Sequence, residues 1–352
     1  MRGHWWDVKR RQYLGLAAAG LTGVGANYYL SDRQRELNNP LGIPDEKLET
    51  SNFWTVSVLP DTQNYAVEDE LIKHVEDQVE WISENKDTYN IVFATHEGDM
   101  VSNGASHEQW DRIISALSCL DGEVPYSVVP GNHDWETTND KSSSIDEYLD
   151  RFGEKRFEDK NWYDDVGPNG LSHSQIFSAG SREFLHLSLE WEPRDEVLDW
   201  ADNKIEDYRH PTLITTHSHL HKGILNGKRA DQLEEENSRG NHGKKVFREL
   251  VYPKQEVFMV LSGHSFGGLL PRNRGEYHQI SDNVGDQPVY EILADFQNRK
   301  EGGNGWMRNI TFLPEENGYD KISVSTYSPS ARKNQVGEPS DFYFELDFDE
   351  RL

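Results

Sequence analysis

Apolar residues recur along this chain in two rhythms, one suited to strands and one to helices. Phe53 to Leu59 is a short apolar run, and Val67 to Asn85 carries Leu71, Ile72, Val75, Val79 and Ile82 at helical spacing. That order predicts a strand, a loop and a helix. The unit recurs with a strand at Asn90 to Thr95 and a helix at Ser106 to Leu120, where Ser106 and Gln109 form a capping-box signature ahead of Ile113, Ile114 and Leu117. Tyr126 to Val129 supplies a third strand. Further strands are predicted at Gln175 to Phe177, Phe184 to Leu189, Thr212 to Thr216 and Val257 to Leu261, with a helical stretch around Asp195 to Tyr208. After residue 285 the alternation stops. Apolar runs at Val289 to Ala294, Trp306 to Phe312, Ile322 to Tyr327 and Phe342 to Phe348 predict consecutive strands that complete a second sheet. The economical reading is one α/β domain over residues 53–350.

The ends of the chain read differently. Residues 31–52 are polar, contain Asn39-Pro40 and Pro44, and keep no sustained period, which predicts a linker. Residues 1–30 run from Lys9-Arg10-Arg11-Gln12-Tyr13-Leu14 into the uncharged apolar stretch Gly15 to Leu30, as a signal peptide of the twin-arginine type does. Val24-Gly25-Ala26 offers a cleavage site before Asn27. The expectation is a secreted or extracytoplasmic protein, touching a membrane only through an uncleaved N-terminus.

Charge narrows the partners. With 62 acidic against 36 basic residues the formal net charge is -26, and the acids are spread along the chain instead of gathered in a tail. Such a surface is soluble when salt screens it, which predicts a salt-rich, halophilic habitat. Nucleic acid is not an expected partner, because phosphate backbones seek Lys and Arg. The single cysteine, Cys119, permits no intrachain disulfide and no thiolate cluster, so any metal must be held by oxygen and nitrogen.

The polar residues that follow the strands carry the chemistry. They fall in Leu59-Pro60-Asp61-Thr62-Gln63, Gly98-Asp99, Gly131-Asn132-His133-Asp134, Thr216-His217-Ser218-His219 and Gly263-His264-Ser265-Phe266. Singly, each has a bland reading: Asp61 as a turn cap, Gly131 to Asp134 as an ordinary turn, His217, His219 and His221 as strand residues of which at most two face one site. As an ordered set they resemble the calcineurin-like metallophosphoesterases, in the subgroup with Asp-Thr-Gln at its start. Leu293-Ala294-Asp295-Phe296-Gln297, Gly305-Trp306 and Thr326-Tyr327-Ser328-Pro329 extend the likeness to about residue 330.

The resemblance implies a calcineurin-like α/β sandwich, two mixed β-sheets flanked by helices, and two divalent metal ions, with Mn, Fe or Zn favoured. One metal would take Asp99, Asn132, His217 and His264. The other would take Asp61, Gln63 and the shared Asp99, but the family's further histidine, two positions after His264, is here Phe266. The first site therefore looks depleted, with His219 and His221 nearby as substitutes. His133 would contact the phosphate or protonate the leaving oxygen, oriented by Asp134. The implied reaction is hydrolysis of a phosphomonoester or phosphodiester, small or macromolecular, by a metal-bound hydroxide. The alternative is a non-catalytic binding or scaffold protein that keeps a degenerate version of the fold, an idea motivated by Gln63 and Phe266.

Overall fold

The structure is a computed structural model that describes residues 39–223, 226–234, 240–266, 275–315 and 318–351. The expected signal peptide and the first residues of the expected linker lie outside them. Residues 39–52 do not behave as a linker. Leu41 and Ile43 are buried in the domain core, and a short helix α1 (Asp45–Thr50) follows them. Two apolar residues spaced by a Gly in a Pro-containing segment leave no period to read, yet both are buried against the domain core.

Strands β1 (Trp54–Leu59), β2 (Ile91–His96) and β3 (Tyr126–Val128) pair in parallel, with helices α2 (Asp69–Asn85) and α3 (His107–Leu117) as their crossovers. All six residues of β1 are buried, as a strand covered on both faces requires. The Ser106 hydroxyl caps α3 by accepting from the Gln109 amide at 3.4 Å, while Oε1 of Gln109 accepts from the Ser102 and Asn103 amides. The reciprocal half of the predicted box is thus spent on the incoming loop.

After helix α4 (Asp146–Phe152) a second sheet begins with β4 (Tyr163–Val166), β5 (His173–Ala179), β6 (Arg182–Leu189) and β7 (Thr212–Thr216), the last two joined through helix α5 (Asp195–Tyr208). After a small hairpin, β8 (Leu220–Lys222) with β9 (Gly227–Arg229), come α6 (Gly243–Val246), β10 (Val257–Ser262), β11 (Glu276–Asp282) and β12 (Pro288–Ala294). The second sheet runs β11-β12-β10-β7-β6-β5-β4.

The last strands, β13 (Met307–Pro314), β14 (Asp320–Ser328), β15 (Lys333–Gln335) and β16 (Phe342–Leu346), do not build the second sheet as expected. They extend the first one: β13 lies antiparallel to β1 with Trp54 opposite Phe312, and β14, β15 and β16 follow outward. Only β12, among the late runs, joins the second sheet, beside β10.

Three apolar cores hold these layers. One lies under α2, α3 and α4 and includes Val75, Val79, Trp110 and Phe152. One fills the space between the sheets, where Trp54 stacks on Phe312 at 3.6 Å between centroids and Phe93, Phe177, Phe184 and Phe258 join it. The third lies between α5 and the second sheet. The fold is therefore two mixed sheets flanked by helices. A polar chain also crosses between the sheets: the Ser127 hydroxyl bonds Thr95, Thr95 bonds Thr215 at 3.1 Å, and His186 bridges Thr215 (2.9 Å) to Gln175 (2.7 Å).

Candidate metal centre

The strands deliver polar residues to one edge of the sandwich. Asp61 and Gln63 follow β1, Asp99 follows β2, Asn132 to Asp134 follow β3, His217 follows β7, His264 follows β10 and Asp295 follows β12. This is the carboxyl-end edge, where loops of α/β sheets converge. Glycines let those loops touch. A Cβ on Gly131 would stand 2.1 Å from Asp99 Oδ1, one on Gly263 2.1 Å from Asp61 Oδ2, and one on Gly98 2.7 Å from His217 Nδ1. Asp99 and His264 themselves hold left-handed φ angles of 53° and 69°, a conformation that costs a non-glycine residue on the order of 1 kcal/mol or more.

Around His217 four donor atoms converge with their hydrogens turned outward. His217 Nε2 stands 3.0 Å from Asn132 Oδ1, 3.3 Å from Asp99 Oδ1 and 3.0 Å from His264 Nδ1. His217 Nδ1 faces the Glu97 carbonyl at 2.8 Å, so its hydrogen lies on that side. The amide of Asn132 donates to Asn139 at 2.6 Å, and His264 Nε2 bonds the Glu234 carboxylate. These assignments follow from the hydrogen-bond network. A proton on one imidazole would satisfy one of these approaches; a divalent cation would satisfy all four lone-pair donors together. Ligand atoms of Asp99, His217 and His264 lie within 4.8 Å of one another.

The electrostatics agree. Asp61, Glu97, Asp99 and Asp295 are all buried. Burial, then the charges of Asp295, Asp99 and Glu97, push Asp61 well above the usual carboxylate range. Burial does the same to Glu97, opposed by Arg308, and among the described residues neither carboxyl oxygen of Glu97 has a hydrogen-bond partner. Burial lifts Asp295 to about 6 against the bonds from Gln297. Asp99 differs: burial would raise it, but the imidazoles beside it, His217 first, outweigh that and hold it at about 2. The same pair raises His217, whose burial works the other way. So many buried carboxylates with so few cationic side chains cost free energy unless positive charge arrives. Gln63 shows the same shortage: its Nε2 donates to Asp99 Oδ2 at 2.8 Å, while its buried Oε1 has no partner among the described residues. The residues present therefore fit a metal centre.

Behind this cluster His96 locks two loops together. The Gly98 amide donates to its Nδ1 at 3.1 Å, which leaves Nε2–H for the Thr62 hydroxyl at 2.9 Å. Burial, then His217, hold His96 neutral, down to about 3.

The structure brings Asp61, Gln63, Asp99, Asn132, His217 and His264 to one place and sets His133 at its margin, the His133 amide donating to Asp99 Oδ1 at 2.9 Å. Asp134 does not orient the His133 ring as expected. Its carboxylate accepts from the amides of Met100, Val101 and Gly131, tying the β2 and β3 loops together, while His133 Nδ1 faces the Ser102 carbonyl at 3.0 Å. A carboxylate next in sequence to a histidine on one tight turn points elsewhere. His219 and His221 stand among other partners. His219 is pinned to Glu291 at 2.8 Å, and His221 lies exposed beside Ser265. Phe266 turns outward, 43 % exposed. Sequence reasoning missed Glu97 and Glu234 and quoted Asp295 without giving it a role. The first two are single acids among many, and only the place of Asp295 after a predicted strand could have flagged it.

Residues 56–267 match the family described as calcineurin-like phosphoesterase. The chain is 30 % identical over 338 residues to the uncharacterized protein YvnB of Bacillus subtilis (strain 168), covering 93 % of this chain and 24 % of that protein. It thus spans about a quarter of the length of the curated relative it matches. Among solved structures it is similar to the purple acid phosphatase PPD1 from yellow lupin (Lupinus luteus) seeds, with a TM-score of 0.51 and 14 % identity over 85 % of this chain and 55 % of that one. That likeness concerns the fold.

Proposed function

The chain belongs to the calcineurin-like phosphoesterase family, and from that premise we propose that it hydrolyses phosphomonoesters or phosphodiesters with two divalent cations. The observation that carries the reading is the convergence of one oxygen or ring nitrogen from each of Asp99, Asn132, His217 and His264, while the outer nitrogens of the last three face Asn139, Glu97 and Glu234. Those four residues would hold one cation, and Asp61, Gln63 and Asp99 would hold the other. When bound, the cations supply an activated water and offset the charge that gathers on phosphorus-bound oxygens.

The chain's own groups do the rest. Glu97 and Glu234 fix the tautomers of His217 and His264 through the bonds on their outer nitrogens. Asp134 holds the turn that carries Asn132 and His133 against the Gly98–Val101 loop. His133, with Nδ1 committed to the Ser102 carbonyl, keeps Nε2 for a proton exchanged with the leaving oxygen. We further propose an extracytoplasmic setting, supported by the twin-arginine-type start, and a phosphate ester that is not a long nucleic acid, supported by the acidic surface.

The test pairs metal counting with turnover of an aryl phosphate and a bis-aryl phosphate in high salt. Asp99→Ala is expected to lose bound metal and more than about 10³-fold in turnover, since it removes a donor shared by both cations. Unchanged turnover in that variant would sink the enzyme reading. Metal uptake by the native chain with no turnover on either ester would favour a binding protein, the reading that Phe266 and Gln63 motivate.

A further inference from the structure

We infer that Asp295 supplies the donor that Phe266 cannot, making the first site an all-oxygen pocket for a hard divalent cation, Mg²⁺ or Mn²⁺, unlike its imidazole-bearing neighbour. The inference rests on the phosphoesterase reading and deepens it.

Strand pairing places the residue. β12 runs parallel beside β10 with Leu293 opposite Ser262, so Asp295 leaves the sheet next to the loop that carries His264 and Phe266. Gly275 confirms how close the backbones come. A Cβ there would stand 1.6 Å from the Asp295 carbonyl oxygen and 3.3 Å from Phe266 Cα, and its φ of 73° suits glycine. Asp295 thus rises beside the position where the family carries its histidine, while the Phe266 ring faces solvent.

Its side chain has capacity to spare. The Asp295 carboxylate is buried, and its oxygens accept from the Gln297 amide at 2.9 Å and from Gln297 Nε2 at 3.0 Å. A carboxylate has about four lone-pair sites, so room for a cation remains on both oxygens. A second observation is Oε1 of Gln63, buried without a hydrogen-bond partner among the described residues while its Nε2 donates to Asp99 Oδ2.

Donor chemistry then separates the two sites. Asp61, Asp295, the shared Asp99 and the Gln63 amide are all oxygen, a set that suits Mg²⁺ and Mn²⁺. Asn132, His217, His264 and Asp99 mix oxygen with imidazole, a set that suits Zn²⁺, Fe or Mn²⁺. Replacing a histidine by an aspartate also adds a negative charge toward the first cation, which favours a small hard ion over a soft one.

The test strips the full chain of metal with a chelator, then titrates Mn²⁺, Mg²⁺ and Zn²⁺ by calorimetry and counts bound metal by elemental analysis. The native chain is expected to bind two equivalents. Asp295→Asn, which keeps an oxygen for Gln297, is expected to retain one equivalent and to lose about 10- to 100-fold or more in affinity at the other. The retained equivalent shows that the variant is folded. Adding Phe266→His to it is expected to restore the second equivalent with Zn²⁺ now preferred to Mg²⁺. Should Asp295→Asn fail to fold, Phe266→His alone in the native chain serves, with an expected gain of about tenfold in Zn²⁺ affinity at the first site. Two equivalents bound by Asp295→Asn with native affinity, or no change in metal preference on adding Phe266→His, would overturn the assignment of Asp295. A native chain that takes up no divalent cation would instead bring down the phosphoesterase reading itself.

Discussion

Two of the buried polar networks among the described residues differ in what they lack. The chain Ser127–Thr95–Thr215–His186–Gln175 crosses between the sheets with each named hydroxyl, imidazole or amide bonded to the next. It is neutral and closed. The cluster at the loop edge holds Asp61, Glu97, Asp99 and Asp295, with oxygens on Glu97 and Gln63 that have no partner among the described residues and lone pairs aimed at one another around His217. It is charged and open. Burial alone therefore marks neither function nor structure; a network that satisfies itself is structural, and one short of positive charge marks where a ligand enters.

The contrast can be broken by supplying or withholding cations. Chelation should lower the melting temperature of the native chain by roughly 10 °C relative to millimolar Mn²⁺, since ligand at about 1,000 times its dissociation constant stabilises by about 4 kcal/mol. Calorimetric scans with and without chelator check this, and an unchanged melting point would place the open cluster with the closed one. A smaller effect is expected from Gly263→Ala. Its Cβ would press on Asp61 Oδ2 at 2.1 Å, costing about 1–3 kcal/mol and weakening the first cation more than the second, as denaturant melts and metal counts would show.

The smallest effect sharpens the other side of the comparison. Burial depresses His186 to about 3 from an ordinary 6.5, so the unfolded chain takes up this proton first as pH falls. A depressed histidine contributes stability that is present above pH 6.5 and lost as pH falls below it toward about 3, at roughly 1 kcal/mol per pH unit. His186→Gln should flatten the pH dependence of unfolding in that window while leaving metal stoichiometry untouched. An unchanged slope would mean that His186 is not buried neutral.

Much of the fold was legible. Buried parallel strands write continuous apolar runs, and amphipathic crossovers write a helical period, so the run to Leu59 and the stripe Leu71 to Ile82 could be read directly. Which sheet a late strand joins could not. The partner of β13 is β1, more than two hundred residues earlier, and periodicity says which faces are buried but not against what. The site loops were legible because close approach demands glycine: Gly98-Asp99, Gly131-Asn132 and Gly263-His264 announce themselves. Glu234 and Glu97 did not, being single carboxylates among 62 acidic residues, and the partner of Asp134 was misread because sequence adjacency does not set side-chain direction.

The left-handed turn at His264 has one more implication. Asparagine and glycine occupy that backbone region far more readily than histidine does. In chelator-stripped protein, where no bound cation adds to stability, denaturant melts of His264→Asn and His264→Gly should therefore match or exceed the parent by about 1 kcal/mol of relieved strain. Assayed for turnover, the same two variants should fail, so that the residue is kept by selection on chemistry against the preference of its own backbone.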